Sequence, residues 1–167
     1  MNVILFDLGR TLETDDVLLP GAADMLIVVA ALRDASGKPL GMGLVSDFTM
    51  PPTPADIPEI RKQYIAILDR LRIRNFFEPL DRGVTLSTDV GVFKPDKRIF
   101  RAALDKFEAG LPFVAAMFVT ENPEHVAAAT ALGMRGVHFK GPGQASGEID
   151  KLLDLVPLVR QFIAPQA

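Results

Sequence analysis

The stretch VILFDLGRTL, Val3 to Leu12, decides how the rest of the chain is read. Four apolar residues run into an Asp and then a glycine-bearing turn. A short apolar run closed by a turn reads as a buried strand. The strand then carries a carboxylate at its tip, and Gly9, two places on, puts no side chain beside it.

The same grammar continues outward. "PLGMGLVS", "GVTLS", "FVAAMFVT" and "RGVHF" predict further strands. Between them lie helical patterns. Pro20 opens and Gly37 follows a largely apolar one. Ile57, Ile60, Tyr64, Ile67, Leu68 and Leu71 share a face of the next, after a loop broken by Pro51, Pro52, Pro54 and Pro58. Asp96 to Phe107 is amphipathic, with Ile99, Phe100, Ala103, Leu104 and Phe107 in phase. Asn122 caps, Pro123 opens and Gly133 ends another, and a last helix is expected from Ile149 to Phe162. Strands alternating with helices predict an α/β fold, a three-layer Rossmann-like parallel sheet with helices on both faces. At 167 residues the chain predicts one domain over 1–163, with 164–167 as a frayed tail.

Composition narrows the function. Lys and Arg number 18 against 21 Asp and Glu, a net charge of −3, so nothing in the charge calls for nucleic acid. There is no Cys, which excludes disulfides, thiolate metal sites and cysteine nucleophiles; two His argue against a histidine zinc site. The longest apolar stretch, Met25 to Leu32, is too short to span a bilayer, and the first residues lack a secretory pattern. The expectation is a cytoplasmic protein with no membrane partner.

In a parallel sheet of this kind ligands gather at the carboxyl ends of the strands. Those tips carry Asp7, Ser46 with Asp47, and Thr120 with Glu121, while Lys94 precedes a helix in "GVFKPDKRIF". Two carboxylates, a hydroxyl and an ammonium on one crevice suit phosphoryl transfer. An Asp can attack phosphorus and form an acyl-phosphate. Two carboxylates facing each other call for a cation, and magnesium accepts one or two of them. Lys94 would neutralise phosphate and Ser46 would donate a hydrogen bond. Each residue also has a plain structural reading: Asp7 as a turn former, Ser46 bonded to local backbone, Lys94 solvated at a helix entrance, Glu121 against a helix dipole.

Four stretches, in order, resemble the motifs of the haloacid dehalogenase-like (HAD) hydrolase superfamily, mostly phosphatases. "ILFDLGRTL" is similar to its Asp-x-Asp-Gly-Thr motif, "GLVSD" to a strand ending in Ser or Thr, "DVGVFKPDKRIF" to its Gly-x-x-Lys-Pro motif, and "MFVTENPEHVAAATALGMRGVHF" to its fourth. The resemblance implies a magnesium-dependent phosphatase acting through an aspartyl-phosphate on a phosphorylated small molecule or phosphoprotein. It implies Asp7 as nucleophile, Ser46 and Lys94 on the phosphoryl group, and Asp7, the Gly9 carbonyl and Glu121 on the metal. Arg10, beside the nucleophile, is a further candidate for phosphate.

Two departures from the pattern matter. Gly9 stands where the family has its general acid and base, and Asp15 or Asp16 in the following loop are candidates to replace it. Thr120-Glu121 replaces Gly-Asp, and His125 stands about where a further Asp often occurs. The intervals 8–40 and 47–93 hold no sizeable cap, so a minimal, capless member is expected. The alternative is a catalytically degenerate HAD-like domain serving as a binding or regulatory module. A receiver-like phosphoacceptor fits less well, because Asp7 lacks an adjacent acidic partner; a dehalogenase would carry a cap.

Overall fold

A computed structural model describes residues 1–165. The expected tail, 164–167, therefore lies partly outside the described residues. Strand β1 (Val3–Phe6) is followed by a hairpin, β2 (Glu13–Thr14) and β3 (Val17–Leu18), then α1 (Ala22–Ala31) and β4 (Gly41–Ser46). Next come α2 (Ile57–Arg70), α3 (Leu80–Gly83), β5 (Val84–Leu86), α4 (Ser87–Val90) and α5 (Lys97–Asp105). The chain closes with β6 (Ala116–Thr120), α6 (Pro123–Ala131), β7 (Arg135–His138) and α7 (Leu155–Ile163).

The five long strands form one parallel sheet in the order β5-β4-β1-β6-β7. This is the expected α/β architecture. β1 is central, and every one of its residues is buried, which explains a continuous apolar run rather than an alternating one. Successive side chains point to opposite faces. Ile4 and Phe6 join a core with α1, α2 and α7; Val3 and Leu5 join a second core with α5 and α6. The sheet is thus covered on both faces.

The chain runs outward from β1 to β4 and β5, then crosses back to β6 and β7. The reversal sets the tips of β1, β4 and β6 side by side. Register aligns them: Phe6 pairs with Leu44 on one side and Val119 on the other.

Two expectations are corrected. The last α-helix begins at Leu155 rather than Ile149, with a 3-10 turn at Leu152–Asp154 before it. Pro157 is the reason: a proline is tolerated only in the first turn, where its missing N–H is not needed. The hairpin at residues 13–18, two residues a strand, had no apolar run to announce it.

Packing is closest at Gly83. A Cβ there would lie 2.0 Å from the Phe77 carbonyl oxygen, a main-chain atom that cannot rotate aside. Gly83→Ala is expected to cost about 1–3 kcal/mol or more in urea unfolding. Exposed Gly9 is the contrast: a Cβ there meets only Glu13 Oε1, at 3.7 Å. Gly9→Ala is expected to stay within about 0.5 kcal/mol of wild type in the same measurement.

Candidate active site

Asp7 continues the β1–β6 pairing by one residue, its N–H donating to Val119 O at 3.0 Å. Its Oδ1 accepts from the Leu8 N–H at 2.9 Å and faces Lys94 Nζ at 2.7 Å. The Lys94 side chain is 1 % exposed. Nζ also donates to Val45 O at 2.9 Å and lies 5.8 Å from the centre of the Phe118 ring. The Lys94 N–H donates to Asp47 Oδ1 at 2.8 Å, which ties the loop before α5 to the end of β4. An ammonium this deep must be matched by an anion and filled acceptors, and Asp7 and Val45 supply both.

Ser46 is buried, its Oγ 2.6 Å from the Tyr64 hydroxyl on α2. Burial pushes the Tyr64 phenol above its usual value; the charges of Asp7 and Glu13 add to this, and the Ser46 hydrogen bond opposes it. The phenol therefore stays protonated and fixes the Ser46 hydroxyl. The sequence reading placed Tyr64 on an apolar helix face. A single Tyr among aliphatic positions was the available signal, because a buried phenol seeks a partner.

Glu121 is held by two hydroxyls. Thr11 Oγ1 donates to Glu121 Oε2 at 3.0 Å and accepts from the Glu121 N–H at 3.1 Å. Thr120 Oγ1 lies 3.2 Å from both Glu121 Oε2 and Asp7 Oδ2. With the Thr11 proton on Glu121, the Thr120 proton is free for Asp7. Neither threonine was singled out for this role in the sequence.

These groups meet on one hollow of about 360 Å³, lined among others by Asp7, Gly9, Ser46, Lys94 and Glu121. Glu13 and Asp16 from the hairpin, Asp47 and His125 complete its polar wall. Arg10 is placed differently. It is exposed, donates from Nη2 to Pro142 O at 2.6 Å, and lies 4.0 Å from Glu121 Oε1. The φ of 60° at Arg10 accompanies this course. Asp15 is exposed, and Asp16 pairs with Arg70 at 3.1 Å.

No family model and no curated protein matches the sequence. Solved structures do match. One is a HAD phosphatase from Thermococcus onnurineus, with a TM-score of 0.64 at 15% identity over 95% of this chain and 98% of that one. Another is a haloacid dehalogenase-like hydrolase family protein from Streptococcus pneumoniae, with a TM-score of 0.64 at 13% identity over 95% and 98%. The fold is that of the HAD-like proteins. An uncharacterized protein from Listeria monocytogenes aligns over 97% of this chain and 98% of its own, with a TM-score of 0.66 at 17% identity. In the HAD-like fold of this chain, Asp7, Ser46 and Glu121 stand at the tips of β1, β4 and β6, and Lys94 in the loop before α5. Among the described residues no helix is long and apolar enough to cross a membrane.

His125 shows how tightly the hollow is packed. Its Nδ1 is buried without a partner among the described residues. Burial first, then the Lys94 charge, holds the imidazole below its ordinary value, against the pull of Asp7, Asp47 and Glu121. The unfolded chain thus takes this proton more readily than the folded one, and stability falls as the pH drops from about 7 to about 5. His125→Gln is expected to reduce the difference between urea midpoints measured at those two pH values.

Proposed function

We propose that the chain is a magnesium-dependent phosphomonoester hydrolase working through an aspartyl-phosphate on Asp7. The observation that carries this is the pairing of the Asp7 carboxylate with buried Lys94 at 2.7 Å, on a hollow that Ser46 and Glu121 also line. Both Asp7 oxygens are braced, by Leu8 N–H and Lys94 on one and by Thr120 on the other. Such bracing fixes the direction of attack. Lys94 and Ser46 meet the equatorial oxygens of the phosphoryl group, and Tyr64 holds the Ser46 hydroxyl in place.

The donor set fits a hard cation. Asp7, Glu13, Asp16, Asp47 and Glu121 line the hollow, against Lys94 alone on the positive side. A phosphate dianion entering such a wall needs further positive charge. Among the described residues no group of three His, Cys, Asp or Glu side chains has a metal-holding arrangement. Two carboxylates, Asp7 and Glu121, with the Gly9 carbonyl and water match magnesium, which keeps several waters. Glu121 Oε1 has Arg10 only at 4.0 Å and is open to that use. When bound, the ion would neutralise phosphate charge.

The interval between β1 and β4 holds only the short hairpin and α1, and that between β4 and β5 only α2, α3 and short turns. We read this as a capless site, open to a large phosphorylated substrate or a phosphoprotein.

Hydrolysis of p-nitrophenyl phosphate with magnesium tests the reading. Asp7→Asn keeps an oxygen for Lys94 and Leu8, so it is expected to fold and to lose all turnover; chelation of magnesium is expected to silence wild type. A wild type inert across a panel of phosphate esters favours the degenerate binding module, for which the missing side chain at Gly9 speaks.

A further inference from the structure

The turn after Asp7 coils tightly. The Leu8 carbonyl accepts the N–H groups of Thr11, Leu12 and Glu13, at 3.3, 2.8 and 3.2 Å. The Arg10 N–H then donates to Glu13 O at 2.6 Å, and Gly9 and Glu13 form a bridge. The main chain of Glu13 is thereby drawn back alongside Gly9. Its carboxylate follows. A Cβ built on Gly9 would stand 3.7 Å from Glu13 Oε1, with no other heavy atom of a non-neighbouring residue within 4 Å. The space that a side chain at residue 9 would point into is reached instead from residue 13.

We propose that Glu13 is the acid–base residue of this site, delivering from the hairpin the carboxyl group that Gly9 cannot provide. The assignment rests on the hydrolase reading above.

Three observations bear it out. Glu13 lines the same hollow as Asp7. Its two oxygens are differentiated: Oε2 accepts from the Asp16 N–H at 3.0 Å, while Oε1 has no hydrogen bond among the described residues and faces the Gly9 side. The neighbouring acids are worse placed, Asp15 being exposed and Asp16 engaged with Arg70 at 3.1 and 3.3 Å.

The chemistry balances without a further reagent. Asp7 attacks phosphorus; the bond from phosphorus to the leaving oxygen breaks; that oxygen keeps the electron pair and takes the proton of Glu13. Water then attacks the acyl-phosphate and gives a proton to Glu13, and Asp7 departs as carboxylate. Glu13 ends protonated, as it began.

The test is a series of aryl phosphates from p-nitrophenyl to phenyl, whose leaving groups need a proton to increasing degrees. kcat/KM is measured for wild type, Glu13→Gln, Asp16→Asn and Asp7→Asn. Gln keeps an oxygen for the Asp16 N–H, so the hairpin is retained. Glu13→Gln is expected to lose about 100-fold on phenyl phosphate and less than about threefold on p-nitrophenyl phosphate, as loss of a general acid requires. Asp16→Asn is expected to change every ester of the series by the same factor. A Glu13→Gln loss that is equal on all esters, or absent on phenyl phosphate, overturns the role of Glu13. So does a selective loss in Asp16→Asn. Either leaves the hydrolase reading standing as long as Asp7→Asn is dead; a wild type with no turnover overturns both.

Discussion

A buried ammonium organises this molecule. Lys94 Nζ has left water almost entirely, at a desolvation cost of several kcal/mol that has to be offset by good geometry. Its acceptors come from two strand ends, the Asp7 carboxylate after β1 and the Val45 carbonyl in β4, and its lower contact is the Phe118 ring of β6. One side chain therefore reads the positions of three neighbouring strands. The loop before α5 can settle only where β1, β4 and β6 are already in register. The same requirement keeps Asp7 fixed at the mouth of the sheet.

Around that pair the hollow is acidic, and its carboxylates are kept apart by hydroxyls. Thr11 and Thr120 serve Glu121 and Asp7, Tyr64 serves Ser46, and the Asp16 N–H serves Glu13. Glu13 and Glu121 are each hydrogen-bonded on Oε2 and left without a hydrogen bond on Oε1 among the described residues. Arg10 stays at the edge of this arrangement, donating to Pro142 O with its Nε 4.0 Å from Glu121 Oε1. Lys94 is the one lysine or arginine among the residues that line the hollow.

Much of the fold was legible because burial on both faces leaves a direct mark on sequence. The all-buried runs at Val3–Phe6 and Ala116–Thr120 are continuous stretches of apolar residues closed by a polar tip. Asn122 and Pro123 announced α6, and the Asn122 side chain accepts from the Glu124 and His125 N–H groups as a cap should. Legibility failed where a different constraint acted. The hairpin has strands of two residues, too short for any period to emerge, and its turn carries Asp15 and Asp16 at φ 52° and 59°, a conformation no apolar pattern encodes. The start of α7 was set by Pro157 rather than by the apolar rhythm that runs on either side of it.

For the site, the sequence by itself determined which residues stand at strand tips. Strand length and alternation fix where a run ends, so Asp7, Ser46, Thr120 and Glu121 could be named, and Lys94 with them through its motif. Only the tertiary structure decided which further groups touch them. Tyr64 reaches Ser46 across 18 positions, Thr11 reaches Glu121 across 110, and Arg10 turns to a carbonyl 132 residues away. Glu13 arrives beside Gly9 because a coil of main-chain hydrogen bonds brings it back. Such contacts depend on where the chain returns, and a one-dimensional pattern carries no record of that.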